Sequence, residues 1–129
     1  CLVGSEMCIR DRLNYIPARL SALFMVAAAG LTGLSAKNAW KIFKRDRYNH
    51  ASPNSAQTEA AMAGALGVQL AGDAWYFGTL YKKKTIGDAL RPVECEDIRR
   101  ANRLMYASAG LLLIVVMLLY CSFNILTLL

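Results

Sequence analysis

The stretch HASPNSAQTE, residues 50–59, gathers an imidazole, hydroxyls, amides and a carboxylate just ahead of the small-sided run AAMAGALGVQL. These residue types move protons and hold anions. His50, the only histidine in the chain, can act as a general base or contact a phosphate, or simply make a structural hydrogen bond in a loop. Ser52 and Asn54 flank Pro53, which stiffens the loop. Their side chains can position substrate amides or phosphate oxygens, or cap the helix that follows. Glu59 can hold Mg2+ or act as a base, while an acid in the first turn of a helix is also an ordinary dipole partner. Elsewhere, Arg19 can bind a phosphate or carboxylate through two N–H donors, or snorkel at a membrane interface. Asn14 can contact substrate or cap a helix. Asp88, within TIGD, is a second metal candidate, with a turn role as its plain alternative. The sequence has no GxxxxGK[ST] phosphate loop, so any ATP site must be of another kind or lie in chain outside this sequence.

The elements that must position these groups look membrane-associated. The 129 residues suffice for one domain, and 56% are hydrophobic with a mean hydropathy of +0.31. Residues 104–129 carry no charge over 26 positions, and a helix needs about 20 apolar residues to span a bilayer core. Residues 20–36, LSALFMVAAAGLTGLSA, are a second candidate: 17 uncharged residues rich in Ala and Gly, a composition suited to close helix packing in a membrane. A re-entrant or protein-buried helix is the alternative there. Of the 15 Lys and Arg residues, 12 fall in 37–103, which places that segment on the cytoplasmic side. With no stacking-aromatic motif beside it, the net charge of +6 does not argue for nucleic acid. Cys1, Cys8, Cys95 and Cys121 lack metal-ligand spacing and are expected to remain thiols.

The expected architecture is an all-α, multi-pass membrane fragment. Membrane helices at 20–36 and 104–126 are joined by a largely helical cytoplasmic segment, 37–103. Asn14 would cap the first helix, with Pro17 in its first turn, and that helix would continue into KNAWKIFKRDR. There Trp40 and Phe43 share a face in an interfacial pattern. A loop covers 48–58, and a short helix runs over 57–70. Glycines weaken that helix unless something packs against its backbone, either another helix or a bulky substrate. Residues 73–92 read as an irregular segment, with Trp75, Tyr76 and Phe77 at the membrane surface and Lys82–Lys84 facing lipid headgroups or, less simply, a phosphate. The last helix begins near Glu94, and Glu96–Arg100 forms an i,i+4 ion pair. The opening CLVGSEMCIR resembles an adapter-derived translation and is set aside, so residues 1–10 are not expected to be native. The remainder reads as the C-terminal piece of a longer protein.

LNYIPARL, HASPNSAQTEAAMAGALGVQL, TIGDALRP and IRRANRLMYAS, in this order, resemble the C-terminal part of the CobD/CbiB family, adenosylcobinamide-phosphate synthase, over about residues 11–120. One departure is Ala56, where family members usually carry Gly; a position needing positive φ would be strained by that change. The resemblance implies an integral membrane ligase of cobalamin biosynthesis in the bacterial cytoplasmic membrane. It would join aminopropanol phosphate to a propionate of adenosylcobyric acid as an amide, using ATP and Mg2+. The implied site has His50 and Glu59 as catalytic groups, Asn14, Arg19, Ser52 and Asn54 on substrate, and Glu59 with Asp88 on metal. Asp11 matches an acidic position of the family. Implied partners are the corrinoid, aminopropanol phosphate and membrane lipids, and association with other cobalamin-biosynthesis enzymes is allowed. The competing reading is a non-catalytic membrane sensor or regulator on the same scaffold. A full crossing by 20–36 would put Arg19 and His50 on opposite faces, so a shared site demands a re-entrant segment or a membrane-buried pocket.

Overall fold

The computed structural model describes residues 2–128, so Cys1 lies outside it. Five helices make most of the fold: α1 (Leu2–Leu13), α2 (Tyr15–Leu31), α3 (Ala36–Asp46), α4 (Ser55–Leu66) and α5 (Glu96–Leu128). Four short strands lie between α4 and α5, namely β1 (Leu70–Ala71), β2 (Ala74–Tyr76), β3 (Thr79–Tyr81) and β4 (Thr85–Ile86). The all-α expectation therefore needs correcting over 70–86. β1 pairs antiparallel with β4, and inside that stem β2 pairs with β3 through Tyr76↔Thr79. Phe77 and Gly78 form the two-residue turn, both at positive φ (+49° and +79°), the pattern of a tight hairpin.

The segment expected to run unbroken from residue 20 to 47 is divided. α2 stops at Leu31, Gly33 takes φ +76°, and the Leu34 N–H donates back to the Ala29 carbonyl at 2.8 Å. This closure ends a helix cleanly. A new helix then starts where Ser35 Oγ accepts from the Asn38 N–H at 3.2 Å. Asn14 does not cap α2: its backbone is helical and its side chain makes no capping bond. α1 thus leads almost directly into α2.

The chain runs up, down and up through α2, α3 and α4. At one end, which we call upper, the Ser35 N–H donates to the Ala65 carbonyl at 3.4 Å. At the lower end Arg19 Nη1 donates to Asn54 Oδ1 at 3.4 Å. The core between these helices is made of small side chains: Ala22, Ala28 and Ala29 of α2, Ala39 of α3, and Ala61 and Ala65 of α4, with Met25, Phe43 and Leu104 filling the rest. Phe43 is buried and stacks on the exposed Trp40 at 5.7 Å. α3 and α4 approach closest at Gly64, where an added Cβ would lie 2.7 Å from both Ala39 Cα and the Asn38 carbonyl oxygen. Asn38 Nδ2 also donates to the Gly64 carbonyl at 2.7 Å. α4 ends at Gly67, in the left-handed region, short of the expected residue 70. Ala56 lies buried within α4 and is not among the residues with positive φ, so alanine carries no backbone strain there.

α5 starts at the upper end. Arg91 Nε donates to the Leu66 carbonyl at 3.1 Å, and its guanidinium is paired in fork geometry with the buried Asp97. Asp97 also accepts from the Glu94 N–H at 2.9 Å, closing the first turn as a capping box does. The anticipated Glu96–Arg100 pair is replaced by Arg100 with Asp97 (2.9 Å) and Arg99 with Glu96 (3.5 Å). From there α5 descends along α2, packing Leu104 and Ala107 into the core. It is the one helix among the described residues long and apolar enough to cross a membrane, and its apolar window has no buried residue. Its 33 residues span about 50 Å at about 1.5 Å each, so its C-terminal half leaves the bundle at the lower end.

The Gly64 contact yields a direct test. Gly64→Ala should destabilise the chain by about 1–3 kcal/mol through overpacking, read as a lower unfolding midpoint in detergent. Gly110→Ala, at a position with open space around it, should leave the midpoint nearly unchanged.

Candidate functional site at the lower end of the bundle

The reversal at residues 32–35 brings Arg19 and the HASPN loop to the same end of the bundle. Asn54, nearly buried, is the hub. Its Nδ2 donates to the Asp11 carbonyl at 2.8 Å and its Oδ1 accepts from Arg19 at 3.4 Å. Arg19 also donates to the Tyr15 carbonyl at 2.8 Å and lies over the Tyr15 ring at 3.3 Å. Ser52 Oγ accepts from the Asn54 N–H at 3.5 Å, and His50 Nδ1 accepts from the Ser52 N–H at 3.0 Å. Because Nδ1 is used as an acceptor, the proton of the neutral ring sits on Nε2. His50 in this arrangement offers a donor to an anion; the basic nitrogen is already engaged. Asn14, Ser52 and Asn54 line one polar cleft of about 390 Å³ with Asp11. The N-terminus of α4 lies at the same end, and its dipole adds positive potential there.

Glu59 stands apart from this cluster. It lies half-buried on the wall of a larger, apolar cavity of about 580 Å³ between α2, α4 and α5, with Phe24, Met25, Met62 and Met105 around it. His50 is exposed on its loop and does not line that cavity. The two residues expected to act as a catalytic pair are therefore not assembled in one hollow of this chain.

Asp88 is not placed as a metal ligand. Its carboxylate accepts from Arg45 Nη1 at 2.8 Å and pairs with Lys41 at 3.6 Å, so two cations already balance it. No group of three or more His, Cys, Asp or Glu side chains among the described residues could hold a metal ion. The TIGD turn serves instead as a latch. Asp46, buried at the end of α3, receives both Arg45 Nε (2.6 Å) and Nη2 (2.8 Å) and the Gly87 N–H (2.7 Å). Gly87 fits because an added Cβ would meet the Val68 carbonyl oxygen at 2.4 Å.

Two positioning residues carry no expectation from the sequence. Gln57 is fully buried and its Nε2 donates to the Arg47 and Pro53 carbonyls, each at 3.1 Å. It ties both ends of the HASPN loop to α4. Asp46 ties the hairpin stem to α3. Gln57 lies in the quoted motif, where an amide among small residues signals a buried polar contact, whereas Asp46 in KRDR resembles an ordinary solvated charge run.

Against this geometry, the family model for CobD/Cbib protein matches residues 9–105. The chain belongs to the CobD/CbiB family. It is 46% identical over 115 residues to cobalamin biosynthesis protein CobD of Clostridium perfringens, covering 89% of this chain and 36% of that protein. It is 53% identical over 104 residues to CobD of Geobacter metallireducens (81% and 33%). Over 114 residues it is 48% identical to cobalamin biosynthesis protein CbiB of Salmonella typhimurium (88% and 36%). The chain thus spans about a third of the length of these relatives. No solved structure matches it. In this CobD/CbiB chain the matched region takes in both the lower-end cluster and the wall that carries Glu59.

Two measurements probe the supports of the site. Gln57→Leu removes both loop bonds and should cost about 1–3 kcal/mol, visible as a lowered unfolding midpoint with faster proteolysis of the 47–54 loop. The Arg45 pairing, aided by the Gly87 N–H, lowers the Asp46 pKa below its ordinary 3.8. A depressed folded-state value means its contribution is complete at neutral pH. It starts to be lost as pH falls to about 4 and is gone once pH drops through the folded value. Asp46→Asn should therefore lower stability at pH 7 and flatten the fall in stability on the acid side.

Proposed function

We propose that this chain forms part of a membrane-bound, ATP-dependent ligase of cobalamin biosynthesis, an adenosylcobinamide-phosphate synthase that links aminopropanol phosphate to adenosylcobyric acid. α5 crosses the bacterial cytoplasmic membrane, and residues 37–103 face the cytoplasm. The observation that carries this reading is the Arg19–Asn54–Ser52–His50 chain of contacts at the start of α4, within a member of the CobD/CbiB family.

Amide formation from a carboxylate needs an activated acyl group, most simply an acyl phosphate; ATP supplies the phosphoryl group. The amine nitrogen then attacks the acyl carbon, phosphate departs, and the nitrogen loses a proton. Arg19, the positive end of the α4 dipole and His50 Nε2–H suit the phosphate of the amine substrate. Ser52, Asn54 and Asn14 orient it. Glu59 lies five residues beyond Asn54 on α4, a rise of about 7.5 Å. Glu59 faces the separate apolar cavity along α5, so the amine end of the substrate must reach that hollow from the lower end. Glu59 then serves as the proton acceptor. Mg2+ finds no matching donor set here, because Asp88 is committed to Arg45 and Lys41.

The test uses the full-length protein. Glu59→Ala should lower the rate of amide formation by about 10²–10⁴-fold. His50→Asn keeps an acceptor for the Ser52 N–H but removes the Nε2 donor, and should raise the KM for aminopropanol phosphate more than it lowers kcat. Wild-type kinetics in both variants would remove this site. A protein that binds no corrinoid and forms no amide would favour the sensor or regulator.

A further inference from the structure

The β2–β3 hairpin carries a concentration of exposed aromatic surface that neither the core nor the proposed site uses. Trp75 is 71% exposed, and Phe77, Leu80, Tyr76 and Tyr81 are exposed as well. Side chains alternate across a strand, so the Trp75↔Leu80 pair lies on one face. On the other face Tyr76 and Tyr81 meet edge to face at 5.7 Å. Phe77 sits at the tip with φ +49°, a conformation that bulky residues rarely adopt. Directly after β3 come Lys82, Lys83 and Lys84, all exposed. Lys83 Nζ donates to the Tyr76 hydroxyl at 3.3 Å, and Asp73, the acid nearest this run, accepts from the Lys83 backbone N–H at 3.1 Å. The local charge stays strongly positive.

The hairpin's placement says what it meets. Asn49 Nδ2, just past the lower end of α3, donates to the Thr85 carbonyl at 3.1 Å, so the hairpin stem is rooted at the lower end. The apolar half of α5 leaves the bundle at that same end. We propose that the hairpin is a lipid-docking element. Trp75, Phe77 and Leu80 enter the boundary between headgroups and acyl chains of the bilayer that α5 crosses, while Lys82–Lys84 meet anionic headgroups. Aromatic rings favour that depth, and basic residues beside it are drawn to anionic lipid. Docking at this point fixes the lower-end site against the membrane surface. The proposal rests on α5 being the membrane helix, and the two are separable by experiment.

The 129-residue chain carries two tryptophans, and Trp40→Phe leaves Trp75 as the sole reporter while keeping a ring against Phe43. This variant is reconstituted into phosphatidylcholine vesicles with and without phosphatidylglycerol, with helix content checked by circular dichroism. Trp75 emission should be blue-shifted and shielded from acrylamide. Lipids brominated near the headgroup should quench it about twofold more than lipids brominated near the chain terminus. Replacing Lys82, Lys83 and Lys84 by Gln should abolish the gain seen with phosphatidylglycerol. Phe77→Gly relieves the turn and should reduce the quenching without loss of helix content. Trp75 open to acrylamide would overturn the proposal. So would a Trp75 shielded yet unquenched by brominated lipid, since the hairpin would then be covered by protein. Extraction with alkaline carbonate reads α5 independently: a carbonate-resistant chain with a water-exposed Trp75 sinks the hairpin alone, and a chain washed free sinks both.

Discussion

The close approach of α3 and α4 at Gly64 governs the arrangement of the rest. A single methyl group there would collide with the backbone of Ala39 and Asn38, so the helices can touch only because this position has no side chain. The contact is reinforced by Asn38 Nδ2 on the Gly64 carbonyl. With α4 held against α3 and flanked by the alanines of α2, its N-terminus is fixed in space, and the polar loop hangs from that fixed point. The Ala/Gly run behind the loop thus serves close packing of helices. The room for a ligand lies elsewhere, along α5.

Two hollows of opposite character follow. The lower cleft is polar and lies at the N-terminus of α4. The larger cavity is apolar and carries one carboxylate, Glu59, on its wall. Both are bordered by α4, so one rigid element sets the spacing between Asn54 at its start and Glu59 on another face. The buried ties of Gln57 to the loop and of Asp46 to the Gly87 turn hold the surroundings of that element still. The same end of the bundle carries the exposed aromatic hairpin and releases the apolar half of α5, so chemistry and lipid contact are expected at one level.

Much of this was legible in the residues. The uncharged run from 104 onward announced α5, and the Ser-Pro-Asn cluster announced a loop before a helix. What escaped had physical reasons. The break at Thr32–Ser35 is set by a glycine in the left-handed region and by the Ser35 cap, weak local signals inside a segment of otherwise uniform hydropathy. The hairpin's alternation of Trp, Tyr, Leu and Tyr was short and interrupted, and its Phe-Gly turn puts a bulky residue where Asn or Asp is usual. The ion pairs of Asp88 were not legible because its partners, Arg45 and Lys41, lie more than 40 positions away in sequence. Glu59 and His50 looked like partners because they are close in sequence, yet the helix carries Glu59 onto another face.

The central claim is that α2 turns back within the bundle, so that the start of α2 and the HASPN loop share one side of the membrane. Asn14→Cys and His50→Cys, placed singly in the full-length protein with its other cysteines replaced by serine, test it with a membrane-impermeant maleimide applied to sealed vesicles of each orientation. Labelling of both positions from the cytoplasmic side is the result expected. Labelling from opposite sides would mean that the apolar segment crosses the bilayer, and the shared site would be lost with it.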